Sequence, residues 1–197
     1  MIRPIHPNFF NDNDVLLPIG YALGYSSNNL FTIQTSHNYI ELSNEHLIFI
    51  WTRIKNGTFI YAELYDLVSN ELDISQLNKL LNDLIANGLL IHCINDNTSI
   101  YNALTEIIPV SQGYGLGYTN KESSLFTILQ NNKHINIESE YSLLWTLANG
   151  YYSYSDINNI LISTIAEEST FNLKYSITDI LGLSTLIYLS NNLMYLL

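Results

Sequence analysis

Cysteine is almost missing from this chain. Cys93 is the only one, so no disulfide can close within the chain and no zinc site can be built on thiolates. Basic residues are nearly as scarce. Seven Lys and Arg stand against 18 Asp and Glu, a formal net charge of −11. A duplex reader needs several phosphate contacts per module, each contributing through counterion release. Arg3, Arg53, Lys55, Lys79, Lys121, Lys133 and Lys174 are too few and too scattered for that, so direct DNA binding is disfavoured, as is adsorption on an anionic membrane. Uninterrupted apolar runs are short. The best candidate for a span of about 20 residues is 177–197, and Asp179, Ser184, Thr185, Ser190, Asn191 and Asn192 break it. A charge and an Asn pair in hydrocarbon would cost several kcal/mol, so the segment reads as a buried helix followed by a short strand. The N-terminus lacks the apolar stretch and cleavage site of a signal peptide, and the expected location is cytoplasmic.

What is present is an apolar fraction of 47 %, too high for a disordered chain, with 15 Tyr, 7 Phe and 2 Trp. The abundance of Asn, Ile and Tyr resembles the codon bias of an AT-rich genome and points to a low-GC bacterium or its phage. The strongest signal is internal. Gly20-Tyr21-Ala22-Leu23-Gly24-Tyr25 recurs as Gly113-Tyr114-Gly115-Leu116-Gly117-Tyr118. Leu30-Phe31-Thr32-Ile33 recurs unchanged as Leu125-Phe126-Thr127-Ile128. Ile40-Glu41-Leu42 returns as Ile135-Asn136-Ile137, Trp51-Thr52 as Trp145-Thr146, and Asn56-Gly57 as Asn149-Gly150. An offset of about 95 residues is too long for a solenoid unit and fits two copies of one small domain. The expected organisation is an N-terminal arm at 1–13, a first copy at 14–95, a linker at 96–105 and a second copy at 106–197.

Each copy reads alike. The Gly-Tyr segment and the β-rich run 30–34 flank the turn residues 26–29 and suggest a hairpin. A second turn at 35–38 leads to a strand at 39–42. Ser43 or Asn44 then caps a helix with Leu47, Ile50, Trp51 and Ile54 on one face. Asn56-Gly57 ends it. A second helix carries Ile60, Leu64, Leu67 and Val68. Asp73 opens a third, with Leu77, Leu80, Leu81, Leu84 and Ile85 along one side. Asn87-Gly88 stops that helix before an apolar strand at 89–91. In the second copy helices are expected at 157–165 and 177–188. The expected class is α+β: two tandem winged-helix-like domains, each a small antiparallel N-terminal sheet followed by three helices. Trp51 and Trp145, each inside an apolar stripe, are expected to be buried and equivalent.

The strand at 39–42, the Ser-Asn-Glu turn, the helix ending at Asn56-Gly57 and the helix ending at Asn87-Gly88-Leu89-Leu90 resemble the RiPP recognition element. This is the PqqD-like winged helix that binds leader peptides of ribosomally made natural products. The resemblance covers 30–92 and, more loosely, 125–195. It implies a non-catalytic peptide- or protein-binding module. It further implies that a peptide adds a strand beside Tyr39, Ile40 and Leu42 and lies against Leu77 and Leu81. In the second copy the corresponding residues are Ile135 and Ile137 with Ile180 and Leu181. The partner implied is a peptide or protein, with no cofactor and no metal, and an oligomer is compatible with the sequence. The alternative is a regulator of winged-helix ancestry, acting on transcription or inhibiting a target through its acidic surface.

Catalytic patterns do not stand up. His6, His37, His46, His92 and His134 show no ligand spacing. His92 and Cys93 are neighbours in an expected strand, so their side chains point to opposite faces and cannot form a dyad unaided. The Gly-Tyr-x-Leu-Gly segments are followed by a turn and another β run, whereas a dinucleotide fingerprint must open a helix. They read as strands whose glycines mark bends or close backbone contacts. Glu45 and Glu140 sit where a carboxylate complements a helix N-terminus, and Glu167-Glu168 reads as a solvated helix end.

Overall fold

The computed structural model describes residues 10–118, 125–167 and 175–197. Arg3, His6, Lys121, Glu168 and Lys174 lie outside them, with most of the 1–13 arm. The chain divides into two units, Met1–Asn95 and Asp96–Leu197, and both mix helices with small antiparallel sheets.

The first unit runs β1 (Val15–Pro18), β2 (Tyr21–Tyr25), β3 (Phe31–Gln34), β4 (Tyr39–Leu42), α1 (Glu45–Lys55), α2 (Tyr61–Val68), α3 (Ile74–Ala86) and β5 (Leu90–Cys93). The second opens with α4 (Asn97–Ala103). It then repeats the same order as β6 (Pro109–Ser111), β7 (Tyr114–Tyr118), β8 (Leu125–Gln130), β9 (Lys133–Glu138), α5 (Ser139–Leu147), α6 (Tyr154–Glu167), α7 (Ile177–Ser190) and β10 (Met194–Leu196). The stretch 96–105, expected as a linker, therefore contains a helix of the second unit. Asp96 caps it by accepting from the Ser99 amide, and Ile100, Tyr101 and Leu104 bury one face against α7.

Each unit has a three-stranded meander, β2-β3-β4 or β7-β8-β9, and a separate two-stranded ladder, β1-β5 or β6-β10. The sequence shows three strands before the helices; among the described residues the structure has four. The extra one, β1, is a run of four fully buried residues with no alternation to betray a strand. It pairs Val15 with Cys93 and Pro18 with Leu90, which gives the closing strand β5 its partner.

Helix boundaries follow local chemistry. Asn44 caps α1 by accepting from the His46 and Leu47 amides. Asp73 and Gln76 form a reciprocal capping box on α3. Ser176 caps α7. Gly57 and Gly88 follow their helices with positive φ, and Asn192 takes the same conformation after α7. The core of the first unit gathers Leu16, Leu17, Ile33, Ile50, Trp51, Ile54, Leu64, Leu77, Leu81 and Leu84, all fully buried. Leu67, read as part of the α2 stripe, is exposed.

Candidate functional site

The Gly-Tyr-x-Leu-Gly-Tyr segments form edge strands with a built-in bulge. Along β2 the register slips between Ala22 and Gly24, and along β7 it slips at the equivalent place, between Gly115 and Gly117. Gly24 and Gly117 take φ of +93° and +85° there, which L side chains rarely adopt. Gly20 and Gly113 face a second constraint. A Cβ on Gly20 would lie 2.4 Å from Ile33 Cγ2 and 2.9 Å from the Gln34 carbonyl, and one on Gly113 would lie 2.7 Å from the Leu129 carbonyl. Both glycines thus admit the adjoining strand of their own sheet. The bulge leaves Tyr21, Leu23 and Tyr25, and likewise Tyr114, Leu116 and Tyr118, exposed.

Behind each bulge runs the same aromatic relay. Tyr25 meets Phe31 edge-on at 5.3 Å and Phe31 meets Trp51 at 6.2 Å. Tyr118, Phe126 and Trp145 repeat this at 5.5 and 5.8 Å. Trp51 donates from Nε1 to the Ile19 carbonyl and Trp145 to that of Gln112, each the residue before the first glycine of the motif. The tryptophans are equivalent, as expected, but only Trp51 is buried, at 1 % exposure. Trp145 is half-buried; α5 ends two residues beyond it, whereas α1 continues four beyond Trp51.

The residues assigned by resemblance to a peptide groove are placed as follows. Leu42, Leu77 and Leu81 in the first unit and Ile137, Ile180 and Leu181 in the second are buried, in cores where α3 packs on α1 and α7 on α5. Ile40 and Ile135 are half-buried and pair with Ile33 and Ile128 on the inner sheet faces. Tyr39 alone is well exposed. Strands β4 and β9 lie at sheet edges, each against the first helix of its meander, α1 or α5.

A concave feature of the first unit lies elsewhere. A groove of about 410 Å³ follows the outer face of α1, floored by Ile48, Phe49 and Thr52, with Glu45 towards one end, Arg53 and Asn56 towards the other, and Tyr25 as a wall. That volume falls in the range of ligand pockets, about 300–1,000 Å³. Arg53 places its guanidinium carbon 4.8 Å from the centre of the Phe49 ring, a cation–π contact. Lys55, two residues further on at the end of α1, is different: burial pushes the pKa of its ammonium down to about 8. Aligned on the tryptophans, the second unit presents Ser139, Ser142, Leu143, Thr146 and Leu147 at the positions of Glu45, Ile48, Phe49, Thr52 and Arg53. Tyr118 hydroxyl lies 3.5 Å from Ser142 Oγ, the counterpart of Tyr25 over α1. Glu140, which the repeat suggests as the partner of Glu45, stands one position away in this alignment.

No family model, curated protein or solved structure matches this chain.

One polar cluster is invisible in the sequence. His92 Nε2 lies 2.6 Å from Asp14 Oδ2. Asp14 is 5 % exposed and accepts from the Asn11 amide as well. Burial pushes the Asp14 carboxyl up, but the hydrogen bonds from Asn11 and the bond and charge of His92 outweigh it and hold the group below its ordinary value. Phe10 stacks on Tyr61 at 5.4 Å and tilts against His92 at 4.8 Å, so the pair fastens 10–14 to β5 and α2. In the second unit Tyr154, the counterpart of Tyr61, is fully buried, with its hydroxyl 2.7 Å from Thr185 Oγ1; burial drives that hydroxyl far up. Cys93 is half-buried and pairs across the ladder with Val15. Among the described residues no three His, Cys, Asp or Glu side chains gather as a metal would require, and no helix is long and apolar enough to cross a membrane.

Proposed function

We propose that this chain is a non-catalytic peptide- or protein-binding module, built from two winged-helix-like units, whose site is the groove along α1. The observation that carries this reading is the groove itself: an apolar floor of Ile48 and Phe49, an exposed tyrosine wall, and a few polar groups at its ends. That is the make-up of a recognition surface. Tyrosine and arginine, which flank the groove, are the residue types enriched at binding hot spots. The repeated order of four strands, three helices and a returning strand supports the winged-helix-like reading. So does the resemblance to leader-peptide recognition elements, which makes a leader peptide of a ribosomally made natural product the partner class to try first. The route differs from the one that resemblance implies. Leu42, Leu77 and Leu81 are occupied in the core, whereas α1 offers open surface.

Selection of a displayed random-peptide library on the full chain tests the reading, with binding of each enriched peptide then measured against Thr52→Arg. Thr52 is half-buried on the groove floor, so a long side chain there fills the groove. Enriched peptides should lose at least tenfold in affinity on the variant while its thermal melt stays close to that of the parent. Selection that enriches nothing, or peptides indifferent to the variant, would refute the site.

A further inference from the structure

The groove has a charge pattern that specifies its occupant. Glu45 and Arg53 both line it and are eight residues apart on α1, about 12 Å along the axis at about 1.5 Å per residue. That is too far for them to pair with each other. Among the described residues neither has an ion-pair partner. The Arg53 guanidinium rests on the Phe49 ring, an arrangement that steadies the cation and leaves its N–H donors for a carboxylate. Between the two charges lie Ile48, Phe49 and Thr52.

An extended chain rises about 3.3 Å per residue, so its residues i and i+4 are about 13 Å apart, and i, i+2 and i+4 share one face. The two spacings match. We propose that the α1 groove reads an extended peptide segment with a basic and an acidic side chain four residues apart and an apolar side chain midway. The basic group pairs with Glu45, the apolar one meets Phe49 and Ile48 beneath Tyr25, and the acidic one takes Arg53. The inference rests on the reading of the groove as a peptide site and adds its register. It belongs to the first unit only: Ser139 and Leu147 stand at the equivalent positions of α5, so neither charge recurs at those positions. A chain of net charge −11 attracts the basic end of such a segment at long range, and Arg53 then fixes which way round it lies.

Fluorescein-labelled peptides of threonine with one central leucine, and with one Lys and one Glu placed two, four or six residues apart in both orders, provide the probe. Binding to the full chain is read by anisotropy. One order of the four-residue spacing should bind at least fivefold tighter than the other spacings. Arg53→Leu should abolish the preference for Glu over Gln at the acidic position and leave the preference for Lys. Glu45→Gln should do the reverse, and Arg53→Lys should restore part of what Arg53→Leu removes. Equal binding at all spacings would overturn the register while leaving the groove a peptide site. Preferences unchanged by both substitutions, with only a lowered melting temperature, would show that the two charges serve the helix dipole alone and would overturn the proposal. Failure of every peptide to bind at millimolar concentration would overturn it too; the library selection on the Thr52→Arg pair separately decides whether the groove takes any peptide.

Discussion

Replacing Trp51 by alanine should unfold the first unit at temperatures where the second persists. The indole is 1 % exposed and packs against Phe31 in the aromatic relay. Its Nε1 donates to the carbonyls of Ile19 and Leu89, both at 3.2 Å. Truncating a buried large aromatic costs about 3–5 kcal/mol. The Leu89 carbonyl keeps the Ile19 amide as a donor, while the Ile19 carbonyl loses its indole partner, and an orphaned buried acceptor costs a further ~1–3 kcal/mol. A domain of this size loses about 4–8 °C per kcal/mol, so the melt should fall by more than about 12 °C. Trp145→Ala should cost less, because that ring is half-buried and its N–H serves one carbonyl. The chain has only these two tryptophans, one in each unit. In Trp51→Ala the remaining fluorescence reports the second unit while far-UV circular dichroism reports the whole. Trp51→Phe separates the terms: it keeps most of the volume and removes the donor. If Trp51→Ala melted within about 2 °C of the parent, or if Trp145→Ala were the more damaging, the packing described for α1 would be wrong.

The motif glycines should differ in tolerance. Gly20→Ala meets both a positive φ and a 2.4 Å contact, whereas a side chain at Gly24 meets open space. By urea denaturation Gly20→Ala should therefore destabilise by more than Gly24→Asn, which carries only the cost of a positive φ, on the order of 1–3 kcal/mol and least for asparagine among side-chain-bearing residues. The Asp14–His92 pair sets an acid dependence. The Asp14 carboxyl is held below its ordinary value in the folded state, so the unfolded chain binds more protons over that window. The contribution is present above the ordinary aspartate range, about 3.9, and is lost as pH falls through the lower folded value. Urea midpoints between pH 6 and pH 2 should show the parent losing its advantage over Asp14→Asn as the pH drops; an advantage that is flat or grows on acidification would contradict the pair.

The sequence carried what local rules can carry. Turn residues, caps and the αL stops at Asn56-Gly57, Asn87-Gly88 and Asn191-Asn192 mark the helix ends, and the tandem repeat marks two equivalent folds. It did not carry β1, because four buried residues ending in Pro18 show no period of two. Nor did it carry α4, whose Asn95-Asp96-Asn97-Thr98-Ser99 run reads equally as a turn or as a cap; the apolar positions at 100, 101 and 104 decide between them. The bulge was legible only as two recurring glycines. The candidate site was not legible. Glu45 and Arg53 are ordinary helix-end charges until Tyr25, twenty residues upstream, closes a groove over α1. Asp14 and His92 are 78 residues apart, and no motif links them.

The central claim is that the α1 groove is where a partner peptide sits. Backbone amide shifts of the isotope-labelled full chain, recorded as the tightest peptide from the library selection is added, test it most directly. The expected result is saturable shifts concentrated at Tyr25, Ile48, Phe49, Thr52, Arg53 and Asn56, with the α5 counterparts Leu143, Thr146 and Leu147 little changed. Shifts concentrated instead along β4 at Tyr39 and Ile40, or spread evenly over both units, would contradict it.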